Sequence, residues 1–131
     1  MAPVLLDTTV LIDLLRGRPG TVARLRALRR TRDAPHTSAV NVEELVRGLR
    51  RPEEADVRTL LGGLQVVALR EAEGWRAGEW RRTFAGRGVT LSQADCLIAA
   101  AAVSVNARLA TGNPKDFPMQ ELSVEHWLAG D

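Results

Sequence analysis

Three carboxylates stand at positions where an unpaired negative charge would be costly. Asp7 follows a short apolar run, Glu44 lies among apolar neighbours in a helical segment, and Asp95 opens an otherwise apolar stretch. A carboxylate in apolar surroundings needs a positive partner. Hard divalent cations such as Mg²⁺ prefer oxygen ligands of this kind. The three acids therefore point to a metal site, provided that the fold brings them together.

Each of the three acids also has a purely structural explanation. Asp95 fits a first-turn acid at the positive end of a helix dipole, and Asp7 fits a helix cap. Glu44 fits a solvated helix residue. The sequence alone leaves these alternatives open for each acid taken singly.

A fourth oxygen donor falls in the loop at residues 111–117, after a predicted strand. Asp116 is the acid of this loop and Asn113 is a neutral donor, and the sequence leaves open which of them completes the site. The structural alternative is an Asn-Pro turn in which Asp116 caps a short helix.

Short apolar runs that alternate with amphipathic segments predict a parallel α/β sheet flanked by helices. Strands are expected at residues 3–6, 35–39, 65–69 and 109–111, with Val124 in a fifth if one forms. Helices are expected at residues 10–15, 21–32, 42–49, 52–61, 71–84 and 94–105, with Thr8 or Thr9, Asn41 and Ser92 as caps. Since the carboxyl ends of parallel strands share one edge, the acids are expected to meet there. We expect one domain over residues 1–131.

Four segments, in order, resemble the motifs of PIN domains, and in particular those of the VapC toxins of type II toxin–antitoxin pairs. They are residues 5–13 (LLDTTVLID), 43–48 (EELVRG), 92–100 (SQADCLIAA) and 109–117 (LATGNPKDF). Each motif alone is weak, but the four in this order are specific and span nearly the whole chain. The resemblance implies a PIN-like fold with a short central parallel sheet of four or five strands.

The same resemblance implies an Mg²⁺-dependent endoribonuclease, with Mn²⁺ as a substitute, that hydrolyses RNA and so inhibits translation or growth. It assigns the metal-site acids Asp7, Glu44, Asp95 and, through water or as support, Asp116. It assigns supporting roles at the acids or the scissile phosphate to Thr8, Thr111 and Asn113. The implied partners are a VapB-like antitoxin and a second copy of the chain in a homodimer.

The composition limits the classes of protein to which this chain can belong. No run of apolar residues is long enough for a membrane span and no signal peptide is recognised, so we expect a cytoplasmic protein. Cys96 is the single cysteine, and we expect it to be buried. Seven arginines between Arg16 and Arg32 fit an RNA-facing surface, a groove for an acidic peptide or a solvated helix face. Trp75 and Trp80 fit either core packing or partner contacts.

Competing functions find less support in the residues. A haloacid-dehalogenase-like phosphatase needs a second Asp two residues after the first, where this chain has Thr9. His36 and His126 have no metal-ligand spacing and are interpreted as surface or strand-edge residues. A PIN nuclease for RNA processing without an antitoxin, and a non-catalytic nucleic-acid-binding PIN scaffold, remain alternatives, although the retained acids disfavour the scaffold.

Overall fold

The structure is a computed structural model that describes residues 2–130, so that Met1 and Asp131 lie outside the described part. Its centre is a five-stranded sheet in the order β3-β2-β1-β4-β5, with every neighbouring pair parallel. The strands are β1 (Val4–Leu6), β2 (Pro35–Ser38), β3 (Gln65–Val67), β4 (Arg108–Thr111) and β5 (Val124–His126). The predicted α/β class with a short parallel sheet is confirmed, and the fifth strand forms.

Six α-helices flank this sheet in the described chain. They are α1 (Thr8–Leu15), α2 (Pro19–Thr31), α3 (Ala39–Arg47), α4 (Glu54–Gly62), α5 (Glu71–Ala85) and α6 (Gln93–Ser104). Two short 3-10 helices lie at Arg51–Glu53 and Pro114–Asp116. Most observed bounds fall within two or three residues of the predicted ones.

The start of α3 corrects one expectation. Ser38, the last residue of β2, is the N-cap, and Asn41 lies at the third helical position instead of capping the helix. The two side chains form a capping box, in which each bonds to the backbone N–H of the other. One serine thus ends the strand and starts the helix, which brings α3 three residues closer to the sheet edge than predicted.

Alternate residues of β1 anchor the helical layers on the two faces of the sheet. Leu5 belongs to the cluster formed with α5 and α6, whereas Val4 and Leu6 belong to the cluster that contains residues of α1 to α4. All three side chains are fully buried. This packing fixes β1 in the middle of the molecule, so its carboxyl end opens at the centre of one sheet edge.

Three smaller expectations concern the cysteine, the tryptophans and membrane-spanning helices. Cys96 is fully buried, as predicted, and Trp80 is a core residue, which decides for core packing between its two interpretations. Trp75 is 69% exposed, so core packing is the wrong interpretation for this tryptophan. Among residues 2–130, no helix is both long and apolar enough to cross a bilayer.

Candidate metal site at the carboxyl edge of the sheet

Asp7 lies where β1 passes into α1. Its backbone N–H donates to the Ala110 carbonyl of β4 at 2.9 Å, so the chain stays in register with the sheet up to this residue. Asp7 is the N-cap of α1, but its side chain makes no capping hydrogen bond. The helix-cap interpretation therefore accounts for the backbone of Asp7 and leaves its carboxylate, which is only 6% exposed, to other contacts.

Neutral side chains supply those contacts to the Asp7 carboxylate. Thr111 Oγ1 donates to Oδ2 at 2.7 Å, and Thr9 Oγ1 donates to the same oxygen at 3.4 Å. Asn41 Nδ2 donates to Oδ1 at 3.3 Å. Because none of these donors carries a charge, they orient the carboxylate without cancelling its charge.

Glu44 is connected to Asp7 through Thr8. Glu44 lies half-buried on α3, and its Oε1 accepts the Thr8 hydroxyl at 2.7 Å. The Thr8 Oγ1 in turn accepts from Asn41 Nδ2 at 3.0 Å. The first and second predicted acids thus share one hydrogen-bonded network.

The threonine hydroxyls at this edge follow one pattern, in which each accepts an N–H and donates its own hydrogen to a carboxylate. The N–H donors are Gly112 backbone for Thr9 (2.9 Å), Asn113 backbone for Thr111 (3.1 Å) and the Asn41 side chain for Thr8 (3.0 Å). A hydroxyl has a single hydrogen, so an N–H on its lone pair leaves that hydrogen for the acid. Hydrogen bonds to the charged form favour it, and the hydrogen bonds from Thr111 and Thr9 therefore oppose protonation of Asp7.

Asp95 approaches the same edge from α6. The N-cap Ser92 accepts the Asp95 backbone N–H at 3.0 Å, which makes Asp95 the third residue of the helix, as predicted. Burial is the largest cause that raises the pKa of Asp95. The negative charges of the other predicted acids raise this pKa further, in the order Asp116, Asp7, Glu44. The four acids, called here the acidic cluster, therefore lie near enough for the other three to act on Asp95.

The acidic cluster has no cationic partner within the described chain. The ion pairs between residues 2 and 130 involve other carboxylates. Burial raises the pKa of Asp7, and the charge of Glu44 adds to this, although hydrogen bonds from Thr111, the Thr8 backbone and Thr9 lower it. Desolvation and mutual repulsion thus disfavour the ionised acids, and a bound cation would relieve both.

The donor set suits a hard cation, but it is not a closed cage. Within residues 2–130, no three Asp, Glu, His or Cys side chains come together as a ready-made metal-binding group. Every donor of the acidic cluster is a carboxylate oxygen, however, and Mg²⁺ usually keeps several waters while one or two carboxylates hold it. An open cluster of this kind fits a hydrated ion, and direct sharing of one ion by three acids stays a prediction.

Comparison with known proteins places this geometry in a family. The PIN domain model matches residues 4–118. The chain belongs to the PIN-domain family. It is 35% identical over 119 residues to Ribonuclease VapC10 of Mycobacterium tuberculosis, a match that covers 90% of this chain and 88% of that protein. The predicted resemblance to VapC proteins is thereby confirmed, and nucleases of the PIN family generally use a divalent metal.

Solved structures agree with this assignment. VapBC-1 from nontypeable Haemophilus influenzae matches with a TM-score of 0.79 at 27% identity, over 95% of this chain and 98% of that one. VapBC2 from Rickettsia felis, bound to a DNA fragment from its promoter, matches with a TM-score of 0.85 at 22% identity, over 96% and 99% of the two chains. The second match shows the fold alone, which is that of a PIN domain.

The two candidates for the fourth position of the PIN site differ in what they contact. Asp116 is exposed at the end of the 3-10 helix Pro114–Asp116, and its charge acts on Asp95. Asn113 is also exposed, and its contribution to the network is its backbone N–H, which donates to Thr111. The effect of its charge on Asp95 favours Asp116 as the acid, with Asn113 as a backbone support.

Two members of the network have no role at the site in the sequence-based prediction. Thr9 and Asn41 had been interpreted only as helix caps, although both contact Asp7. A signal for Asn41 existed in its spacing, three residues after Ser38 and three before Glu44. His36 hydrogen-bonds through Nδ1 to the Ala34 carbonyl at 2.9 Å in β2, in agreement with its interpretation as a strand residue.

A groove borders the acidic cluster at Glu44. It has a volume of about 130 Å³. Its apolar wall is formed by Ile12, Leu15, Leu45, Leu49 and Val57, and its charged residues are Arg16, Glu44, Arg50 and Glu53. The PIN domain thus has an amphipathic surface that leads directly to one of its predicted metal-site acids.

Proposed function

We propose that this PIN-domain protein is a divalent-metal-dependent endoribonuclease and the toxin of a type II toxin–antitoxin pair. The observation that carries the proposal is the acidic cluster itself. Burial and neighbouring carboxylates raise the pKa values of Asp7 and Asp95, neutral side chains orient Asp7 and Glu44, and the cluster has no cationic partner among residues 2–130. RNA as the substrate is supported by the relative named Ribonuclease VapC10.

In this proposal, Asp7, Glu44 and Asp95 would hold Mg²⁺, or Mn²⁺ in its place, and Asp116 would assist through water. The bound metal would lower the pKa of a water molecule and stabilise the charge that develops on the phosphate. Hydrolysis would break the bond from phosphorus to the 3′ oxygen and leave a 5′-phosphate and a 3′-hydroxyl, as the PIN resemblance implies.

The residues around the acids keep the site ready for this reaction. Thr111 and Thr9 donate to Oδ2 of Asp7, while Thr8 donates to Oε1 of Glu44 and leaves its Oε2 for a ligand. Each donor rests on an N–H that is itself fixed by the fold. The carboxylates therefore need little rearrangement when charge develops, which is the basis of electrostatic preorganisation.

The toxin role and a VapB-like antitoxin are supported by the relatives. A solved structure that shares 27% identity with this chain is of the complex VapBC-1. The amphipathic groove beside Glu44 offers an apolar wall and charges of both signs to a peptide. The exposed Trp75 gives a further apolar contact for a second copy of the chain or for the antitoxin. We further propose a homodimer that acts in the cytoplasm.

A nuclease assay with one pair of variants tests the enzymatic proposal. Asp7→Asn removes a cluster charge, whereas Asp13→Asn makes the same change within α1 and outside the acidic cluster. We expect Asp7→Asn to reduce RNA cleavage by about 10²-fold or more and Asp13→Asn to cleave like the wild type. EDTA should abolish cleavage and Mg²⁺ or Mn²⁺ should restore it. Undiminished cleavage by pure Asp7→Asn protein would refute the proposal.

A growth assay tests the toxin role separately. Induced expression of the wild-type chain should arrest growth, and expression of Asp7→Asn should not. Co-expression of a short upstream reading frame with a DNA-binding N-terminus should neutralise the toxin. RNA cleavage in vitro without growth arrest would instead support the RNA-processing alternative. Sequencing the ends of the RNA cut in such cells would identify the target.

A further inference from the structure

Asn41 occupies a fully buried position between the two acids of the network. Its Nδ2 donates to Asp7 Oδ1 at 3.3 Å and to Thr8 Oγ1 at 3.0 Å. Its Oδ1 accepts the Ser38 backbone N–H at 3.1 Å and the Ser38 hydroxyl at 2.6 Å. A side-chain amide has two hydrogens and one oxygen with two acceptor positions. Asn41 therefore uses its entire hydrogen-bonding capacity.

The contacts with Ser38 determine which way the amide faces. The backbone N–H of Ser38 can only donate, so the oxygen of Asn41 must lie toward it and the nitrogen toward Asp7. The reversed amide would set a carbonyl oxygen against a carboxylate and leave the Ser38 N–H without an acceptor. The network itself thus assigns the amide orientation.

This orientation links the positions of two acids. Nδ2 contacts Asp7 directly, and because it can only donate, the Thr8 hydroxyl must accept from it and pass its own hydrogen to Glu44. Asn41 and Glu44 also lie three residues apart on α3, and the capping box at Asn41 fixes where that helix starts. The same side chain thereby holds one acid at the end of β1 and another on α3.

We propose that Asn41 is a positioning residue of the metal site, which sets the distance between the Asp7 and Glu44 carboxylates without neutralising either of them. An Arg or Lys in its place would also donate hydrogen bonds, but its charge would compete with a bound cation. The neutral amide provides orientation alone. This inference rests on the proposed metal-dependent function.

Two alanine variants separate positioning from helix capping. Ser38→Ala removes the hydroxyl from the capping box but leaves the Ser38 backbone N–H to hold Oδ1 of Asn41. Asn41→Ala keeps the hydrogen bond from the backbone N–H of residue 41 to the Ser38 hydroxyl, but it removes Oδ1, the acceptor of the other half of the capping box, and both donations to Asp7 and Thr8. We expect both variants to lower the thermal unfolding midpoint, since both disturb the start of α3.

Only Asn41→Ala should affect the site. Isothermal titration with Mn²⁺ should show affinity weakened by about 10-fold or more, the usual range for the loss of a side chain that orients a metal ligand, and Ser38→Ala should bind within about 2-fold of the wild type. The kcat for RNA should fall with the metal affinity while KM for RNA changes little. Equal Mn²⁺ affinity in the two variants would overturn the proposal.

A second pair of variants covers the case in which Asn41→Ala does not fold. Thr8→Val removes the hydroxyl between Asn41 and Glu44, and Thr8→Ser keeps it. Weakened Mn²⁺ binding in Thr8→Val with recovery in Thr8→Ser supports the link, whereas wild-type affinity in Thr8→Val contradicts it.

The wild-type protein distinguishes failure of this proposal from failure of the proposed function. If it binds Mn²⁺ without cutting RNA, the proposed nuclease is refuted and the comparisons of Mn²⁺ affinity stay valid. If it binds no Mn²⁺, both proposals are overturned.

Discussion

Acids at the two edges of the parallel sheet have opposite electrostatic environments. Toward the amino edge, Arg108 donates to Glu125 Oε2 at 2.8 Å and to Asp33 Oδ2 at 3.2 Å. The pKa of Asp33 is lowered, first by the Ala2 backbone N–H and further by Arg108. At the carboxyl edge, by contrast, burial raises the pKa values of Asp7 and Asp95.

The contrast separates acids that stabilise the fold from acids that are available for binding. The acids that stabilise the fold are paired with a cation, as Asp33 and Glu125 are with Arg108. Acids that are gathered, desolvated and oriented by neutral hydroxyls lower the stability of the metal-free fold and are typical of functional sites. Carboxylates with raised pKa values at the centre of the carboxyl edge therefore support the proposed site independently of any motif.

The largest expected effect comes from removing one cluster charge. Asp95→Asn should lower RNA cleavage by about 10²-fold or more, because a metal-site acid is lost. The same change should raise the unfolding midpoint of the metal-free protein, since a desolvated and repelled charge disappears. Calorimetry in EDTA and a nuclease assay measure the two effects.

Asp56→Asn provides the matched control for this variant. Asp56 is the third residue of α4, as Asp95 is the third residue of α6, but it is exposed and lies outside the acidic cluster. Its replacement should leave cleavage unchanged and should not stabilise the protein. A lower midpoint in both variants would show that Asp95 is an ordinary first-turn acid.

The second-largest effect is expected from competition between protons and Mn²⁺ for the carboxylates of Asp7 and Asp95. The folded pKa values of Asp7 and Asp95 lie above the ordinary value of 3.8. In the window from 3.8 up to these raised values, the folded state binds more protons than the unfolded state, so the stability of the metal-free protein falls as the pH rises. Mn²⁺ affinity should change in the opposite sense and increase across the same window, by up to about 10-fold per pH unit for each proton displaced.

Titration of Mn²⁺ at several pH values between about 4 and 7 measures this dependence. The Asp95→Asn variant should show a shallower slope, because one competing proton is absent. A Mn²⁺ affinity that does not vary with pH would mean that the raised acids do not contact the ion, and the contrast between the edges would lose its functional meaning.

The sequence was sufficient to predict the architecture, since strands alternate with amphipathic helices, and the buried apolar run of β1 ends directly before Asp7. It also predicted that Asp95 would sit just inside a helix capped by Ser92, a local relation that one hydrogen bond completes. Such features depend on neighbours within a few residues. The chain's own periodicity and capping preferences determine them.

The hydrogen-bonded network lay beyond sequence-based prediction. Thr111 and Asp7 are 104 residues apart, and their contact depends on the register between β1 and β4. The role of Asn41 depends on a backbone N–H at the end of β2 that fixes its amide, a relation that composition does not reveal. The capping preference of Asn was visible, whereas the direction of its donors required the fold.

A smaller effect is expected at the fourth acid. Asp116→Asn should lower the pKa of Asp95, since the charge of Asp116 raises it. The acidic limb of the pH–rate profile should therefore move to lower pH, while kcat/KM at neutral pH falls by about 10-fold or less because Asp116 is exposed. Asn113→Ala, which keeps the backbone N–H, should change neither quantity. A larger loss in Asn113→Ala than in Asp116→Asn would reverse the assignment of the fourth position.

The smallest effect on activity is expected at the opposite edge. Arg108→Gln removes the cation that Asp33 and Glu125 share, so the unfolding midpoint should fall by about 2–5 °C while Mn²⁺ affinity and RNA cleavage stay unchanged. Because the folded pKa of Asp33 lies below 3.8, its ion pair contributes above that pH and is lost as the pH falls through the lowered pKa. The difference in midpoint between wild type and variant should therefore shrink in acid. Loss of cleavage in a well-folded Arg108→Gln protein would mean that the two edges are coupled and that charge at the amino edge also serves the site.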